Sequence, residues 1–467
     1  MVNDKLNLWI LTEERPKKKV LEMIFSYFAK DHNCGFLGNS LQIIPLLNRE
    51  TKCFDFTYEV VGFTCSKVNK VYLKTVSGSS SFVDFLIFYQ DKQPTLVDKP
   101  LYAIEETKTD DKESRNTGVF QRCSKFVFIQ NYFPKIKKVM LYALQVKQKK
   151  NPTETYIFGT RLLLTLGVDI LGKKLDSNIF KPFKSIDEVI SFKNKMRRPP
   201  AGNTPILIHK LDNKIQISGR LYKNNSIAHD PNIGALSIIA AVLRKLGWNK
   251  AIEITQHGLS QTHVGKRNKF IQIANKLKIT LQGLNIPAAQ LPLNYWHYEI
   301  KGEKLSTIFI HICVENFTES YSIFENHAGC EKSYFKTANG EHIPLAKYSN
   351  RRAYKAGDKK QIIFIPDLVL LDIKESEVIT IEGKKYKFRQ NGINKLKGYE
   401  SFDKIYLNKY YPEYKIVRTV VLYGSNKKDI IEVEVGFMLN SNGNLILGLK
   451  APKLFIRAIR NLLHYWN

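Results

Sequence analysis

Four apolar runs of this chain read as buried β-strands, and each carries an acid where an apolar residue is expected: SFVDFLIFYQ, LYAIEETK, IPDLVLLD and EVITIEGKK. An unpaired carboxylate inside such a strand is costly, so each acid needs a partner or a cation at a sheet end. Alternate residues of a strand share a face, which puts Glu106 with Lys108 and Glu382 with Lys384. Asp84 precedes Glu106 by 22 residues, enough for a turn around DKQP and an antiparallel neighbour. In the second pair, Pro366-Asp367 precedes a turn near Lys374-Glu375-Ser376, and Glu382 and Lys384 follow on the next strand. Asp372-Ile373-Lys374 also reads acid, any residue, lysine. It lies on the strand of Asp367, however, and five residues of strand separate the two acids by about 16 Å on opposite faces. The expected constellations are therefore Asp84, Glu106 and Lys108, and Asp367, Glu382 and Lys384. Glu105, Glu113, Gln121 and Lys125 are further polar groups near the first that could orient water or phosphate, with Gln121 and Lys125 read rather as exposed helix neighbours.

The surrounding periodicity gives both constellations a similar setting. A helix over KKVLEMIFSYFAK is followed by strands around CFDFTYEVVGF, KVYLKTV and SFVDFLIFYQ, then by LYAIEETK, a helix over TGVFQRCSKFVFIQNYF and a strand KKVMLYAL. After the basic, proline-containing stretch FKNKMRRPPAGNTP, Asp230 and Pro231 open a helix that Gly247 closes. THVGKRNKFIQIANKLK is a second helix with a basic face. From residue 301 strands return in LSTIFIHICVE, KQIIFIPDLVLLD, EVITIEGKKYKF and KIVRTVVLYG, with a mixed region NGINKLKGYESFDKIYLNKYY before the last. The expected class is α/β with mixed sheets, divided into segments 1–150, 151–300 and 301–467.

Charge limits the partners. With 72 Lys and Arg against 43 Asp and Glu, the net charge is +29, enough to hold a polyanion along a long surface. No apolar run approaches the roughly 20 residues of a membrane span, and no lipidation motif points to a membrane face. The N-terminus MVNDKLNLWILTEERPKKK lacks the basic start and long apolar core of a secretory signal, so a cytoplasmic location is expected. The six cysteines form no CxxC pair and are expected to be reduced. Double-stranded DNA is the expected partner, with no membrane. Lys266 and Arg267 on the basic helix, and Arg351, Arg352 and Lys355 in the loop KYSNRRAYKAGDKK, are the expected DNA contacts.

The two constellations resemble the PD-(D/E)XK nucleases, and among them the type II restriction endonucleases, whose pattern is a strand Asp, usually after Pro, followed by (Asp/Glu)-x-Lys on the next strand. Val83 stands where the first site would have proline. The resemblance implies two restriction-endonuclease-like modules flanking a central DNA-binding region. It also implies Mg²⁺ held by Asp84 and Glu106 and by Asp367 and Glu382, and hydrolysis leaving a 5′-phosphate. Two sites in one chain permit a monomer to cut both strands of an asymmetric sequence, with pairing on DNA as a variant, and a cognate DNA methyltransferase is expected beside it. Three alternatives stay open at this point: one catalytic module with a nuclease-like DNA-binding module, a repair or transposon nuclease, and a DNA-binding protein without catalysis.

Overall fold

The computed structural model describes residues 5–48, 50, 53–78, 81–107, 118–143, 152–196, 206–219, 221–223, 226–227, 230–264, 269–299, 304–326, 333–345, 363–425, 437–440, 445–447 and 451–466. The fold is mixed α/β, with several sheets that combine parallel and antiparallel strands. It divides into two compact units, one of residues 1–18, 25–76 and 298–467, the other of 19–24 and 77–297. The segment 1–150 expected from the sequence is therefore shared between the units, and the segment 151–300 falls almost wholly in the second.

In the unit of residues 77–297, strand Phe85–Tyr89 pairs antiparallel with Tyr102–Thr107, which pairs parallel with Lys137–Tyr142, and that strand pairs parallel with Val168–Leu171. All six residues of Tyr102–Thr107 are buried, the near-continuous burial of a strand with a parallel neighbour. Helix Gly118–Ile129 makes the crossover to Lys137–Tyr142 and packs on helices Glu154–Thr165 and Asp230–Lys245. A smaller sheet runs in the order Ile279–Leu281, Ala251–Thr255, Lys214–Ser218, Ile208–Lys210, with only the last strand antiparallel. Its helix Asp230–Lys245 stops ahead of Gly247, whose φ of +96° suits a glycine at a helix end.

The other unit holds an antiparallel ribbon, Phe36–Asn48 with Cys53–Cys65, and an eight-stranded sheet centred on Tyr321–Glu325, Leu368–Asp372, Glu377–Lys385 and Lys415–Ser425. The first three are successively antiparallel and the fourth is parallel to the third. The aromatic segment Phe402 to Tyr411 covers Val369, Leu371 and Val378.

LSTIFIHICVE, expected as a strand, is helix Lys304–Phe317. Its residues Leu305, Ser306 and Ile308 to Val314 are buried, so the helix is apolar nearly all round and periodicity does not separate it from a buried strand. Strands Leu6–Thr12 and Phe36–Asn48 were not anticipated. Cys34, Cys65, Cys123 and Cys313 are free thiols, and no described helix is long and apolar enough to cross a membrane.

Arg15 is the polar tie of this unit. Its guanidinium donates to Glu315 at 2.7 Å, on helix Lys304–Phe317, and to Glu325 at 2.5 Å, on the neighbouring strand. His311 Nε2 lies 3.1 Å from Glu315, and Ser322 Oγ lies 3.0 Å from Glu315 and 3.3 Å from Glu325, within reach of its single proton to either. Burial opposes ionisation of Glu315, but Arg15 and His311 hold its carboxyl well below the usual carboxylate range. Removing one partner of such a cluster strands buried charge. Arg15→Ala should lower the unfolding free energy in urea by about 3–5 kcal/mol, and a loss below about 1 kcal/mol would show the cluster to be energetically idle.

Candidate active centres

The first centre forms where strands Phe85–Tyr89 and Tyr102–Thr107 meet. Their register pairs Phe85 with Ile104, so the next rung sets Asp84 against Glu105. Asp84 Oδ2 accepts a hydrogen bond from the backbone N–H of Glu106 at 2.6 Å, which fixes the Asp84 carboxyl across the strand end. Glu105 is 2 % exposed, and from helix Gly118–Ile129 the ammonium of Lys125 reaches it at 2.7 Å and Asp84 at 3.7 Å. Arg122 Nε lies 3.6 Å from Glu105 and donates to the Glu106 carbonyl at 3.0 Å. Burial, then the nearby charge of Asp84, pushes the Glu105 carboxyl up to about 7, against the pull of Lys125 and Arg122. Burial works against the charge on Lys125, yet Glu105 and Asp84 raise it above its ordinary value.

The second centre repeats this arrangement. Leu368 pairs with Ile381, so Asp367 faces Glu382, and Asp367 Oδ2 accepts from the backbone N–H of Gly383 at 2.9 Å. Glu382 is fully buried. Lys395 donates to its two oxygens at 2.6 and 2.8 Å, Lys384 Nζ lies 2.5 Å from Oε1, and the Tyr399 hydroxyl donates to Oε2. Gly392 lets helix Arg389–Leu396 come this close, since a Cβ there would stand 3.0 Å from Lys384 Cγ and 3.1 Å from Val420 Cγ1. Burial, then Glu382, raises the Asp367 carboxyl above its usual range.

The two centres therefore share one geometry. An Asp just before one strand accepts from the backbone N–H that follows the facing Glu, and a helix after the Glu strand supplies a lysine to that Glu. In this correspondence Glu105 matches Glu382, Glu106 matches Gly383, Thr107 matches Lys384, and Lys125 matches Lys395.

The structure brings Asp367, Glu382 and Lys384 together as the sequence suggested. In the first centre it brings Glu105 to Asp84 in place of Glu106, because the antiparallel register runs one residue from the expected one and alternation turns Glu106 to the other side of its strand. Asp372 sits at the far end of its strand, where Arg457 Nη2 pairs with it at 2.5 Å. Lys108, Glu113, Lys266, Arg267, Arg351, Arg352 and Lys355 lie outside the described residues. Lys395 and Tyr399 were not anticipated, and the sequence signal for them is the polar side of the mixed helical region after Glu382. Among the described residues no group of three or more His, Cys, Asp and Glu side chains is gathered around one point as a metal cage.

The raised carboxyl of Glu105 gives a pH signature. The stability linked to its neutral form is present below its ordinary value near 4.5 and is lost as pH rises through about 7. Lys125→Met removes an ammonium that favours the carboxylate, so the Glu105 titration followed by carboxyl ¹³C NMR should move further up from about 7. A Glu105 that titrates at its ordinary value in both proteins would contradict the geometry. Comparison with known proteins gives no assignment: no family model, no curated protein and no solved structure matches this chain.

Proposed function

We propose that the chain is a sequence-specific, Mg²⁺-dependent endonuclease of double-stranded DNA, a type II restriction enzyme with two restriction-endonuclease-like modules, each centre cutting one strand. One observation carries the reading: the pairing of Asp84 with Glu105 under Lys125 recurs as Asp367 with Glu382 under Lys395, at the same rung of the same strand arrangement. A +29 chain suits a polyanionic substrate.

The residues of both centres fit a divalent cation. Each sets two carboxyl groups together at the end of two neighbouring strands, where their mutual repulsion contributes to the raised carboxyls of Glu105 and Asp367. Mg²⁺ keeps several waters and is commonly bound through one or two carboxylates and substrate phosphate, so a pair without a third acid suits it better than a cage would. Asp84 with Glu105, and Asp367 with Glu382, would hold it, and bound Mg²⁺ supplies charge neutralisation at phosphate and acidification of water. Lys125, Lys384 and Lys395 place ammonium groups where negative charge develops on the phosphate during displacement. Lys125 holds the buried Glu105 carboxylate and Lys395 the buried Glu382 carboxylate by hydrogen bonds.

The centres are not identical, and this favours one second reading. Glu382 is held by two lysines and Tyr399, whereas the first centre has Thr107 at the position of Lys384. A single working centre beside a nuclease-like binding module accommodates that difference.

Double-stranded DNA and a cognate DNA methyltransferase are the partners this reading requires. Digestion of a sequenced plasmid with both ends mapped tests it. Mg²⁺ should give discrete linear fragments with 5′-phosphates. Ca²⁺ should support binding with little cleavage, because its looser coordination places water and phosphate less well, and EDTA should stop the reaction. Full cleavage in EDTA, or none with any divalent cation on long duplexes of varied sequence, would refute it.

A further inference from the structure

Cys34 and Cys65 are 31 positions apart in the chain, yet their sulfurs stand 2.9 Å from each other. Their meeting has a local cause. Helix Lys18–Asp31 ends in backbone hydrogen bonds from His32 N–H to the Phe28 carbonyl, from Asn33 N–H to that of Lys30 and from Cys34 N–H to that of Ala29. With Asn33 at a φ of +51°, this is the Schellman arrangement that closes many helices, and it fixes the backbone of Cys34 at the helix end. Cys65 is the last residue of strand Cys53–Cys65 and is in register with Phe36, two residues past Cys34. Just beyond it, Lys67 donates to the His32 carbonyl and closes the same corner.

The corner holds the outer end of the ribbon. There Phe36 pairs with Cys65, Leu37 with Thr64 and Gly38 with Phe63, and a register shift between Gly38 and Gln42 separates these rungs from the rest. Inward of the shift the ribbon is tied down, Ile43 N–H donating to Asn316 Oδ1 at 2.9 Å and Trp466 Nε1 to the Pro45 carbonyl at 3.0 Å. Outward of it Leu37 is 72 % exposed, and the rings of Phe36 and Phe63 rest on Phe25. Cys34 is half-buried and Cys65 buried, so a small oxidant reaches the pair at Cys34. Burial, then Cys65, push the Cys34 thiol up to about 11, with Lys67 pulling the other way. Cys34 therefore keeps its proton at neutral pH, and the pair stays reduced until oxidant is in excess.

We propose that Cys34 and Cys65 are an oxidative modification site, at which hydrogen peroxide closes a disulfide that staples the end of helix Lys18–Asp31 to the outer end of the ribbon. The Cys34 sulfur attacks one peroxide oxygen, the O–O bond breaks, and a sulfenic acid and one water result. The Cys65 sulfur then attacks the sulfenic sulfur, the S–S bond forms as the S–O bond breaks, and a second water leaves. The two thiol protons end in the two waters, and the peroxide takes up the two electrons. Nothing in this step rests on the proposed nuclease function.

Peroxide treatment of the full chain, then thiol blocking, tryptic digestion without reductant and mass spectrometry test the pair. Cys34 lies in tryptic peptide 31–49, and Cys65 in peptide 53–67, which also contains Cys53. The two peptides should appear joined with the loss of two hydrogens, fragmentation should place the bond on Cys65, and dithiothreitol should separate them. Cys34→Ser and Cys65→Ser should each abolish the joined pair and Cys53→Ser should keep it, with the half-buried Cys34 guarding against a folding defect at the buried Cys65. In scanning calorimetry the oxidised protein should melt about 5 °C above the reduced one, and dithiothreitol should reverse the gain. Cys34 and Cys65 both blocked as thiols after peroxide, both carried separately to sulfinic acid, or a link through Cys53 overturns the site. A joined pair without any gain in melting temperature overturns the staple.

Discussion

A single hydrogen bond, made twice, organises the candidate chemistry: an aspartate carboxylate accepting the backbone N–H that follows a buried glutamate on the neighbouring strand. It holds two carboxyl groups side by side at one end of two neighbouring strands, with the glutamate of each pair buried. The fold tolerates this only because a helix next in sequence brings a lysine to the glutamate, Lys125 at 2.7 Å in one centre and Lys395 at 2.6 Å in the other. Strand register, crossover helix and close helix approach at Gly392 all serve that one juxtaposition.

The second centre was legible in the sequence because geometry left it little freedom. Only Ile373 to Ser376 separate the strands of Asp367 and Glu382, and Ser376 takes a φ of +51°, so a tight turn dictates the register. Residues 90–101 join the corresponding strands of the first centre, and a connection of that length fixes no register. Glu105 and Glu106 are adjacent acids, both buried in the folded chain, and the sequence contains no signal that chooses between them. Pairing did, through the rung that follows Phe85 and Ile104.

Helix-borne partners were harder still. Lys125 stands 20 residues after its glutamate and Lys395 stands 13 after its own, so no constant spacing marks them. The Arg15 cluster joins groups about 300 positions apart, a tertiary fact that local periodicity does not carry. The same limit explains helix Lys304–Phe317, whose burial on nearly every side erased the period that would have identified it.

The central claim is that the chain carries two equivalent centres and that Glu105, not its neighbour, belongs to the first. Strand-resolved cleavage of one supercoiled plasmid by Glu105→Gln, Glu106→Gln and Glu382→Gln tests it most directly, since each buried carboxylate would stabilise the transition state only in its own centre. The account predicts that Glu105→Gln and Glu382→Gln each yield open circles nicked on opposite strands, while Glu106→Gln still makes linear product. Linear product from Glu105→Gln, or one substitution that silences both strands while the other silences neither, would contradict it.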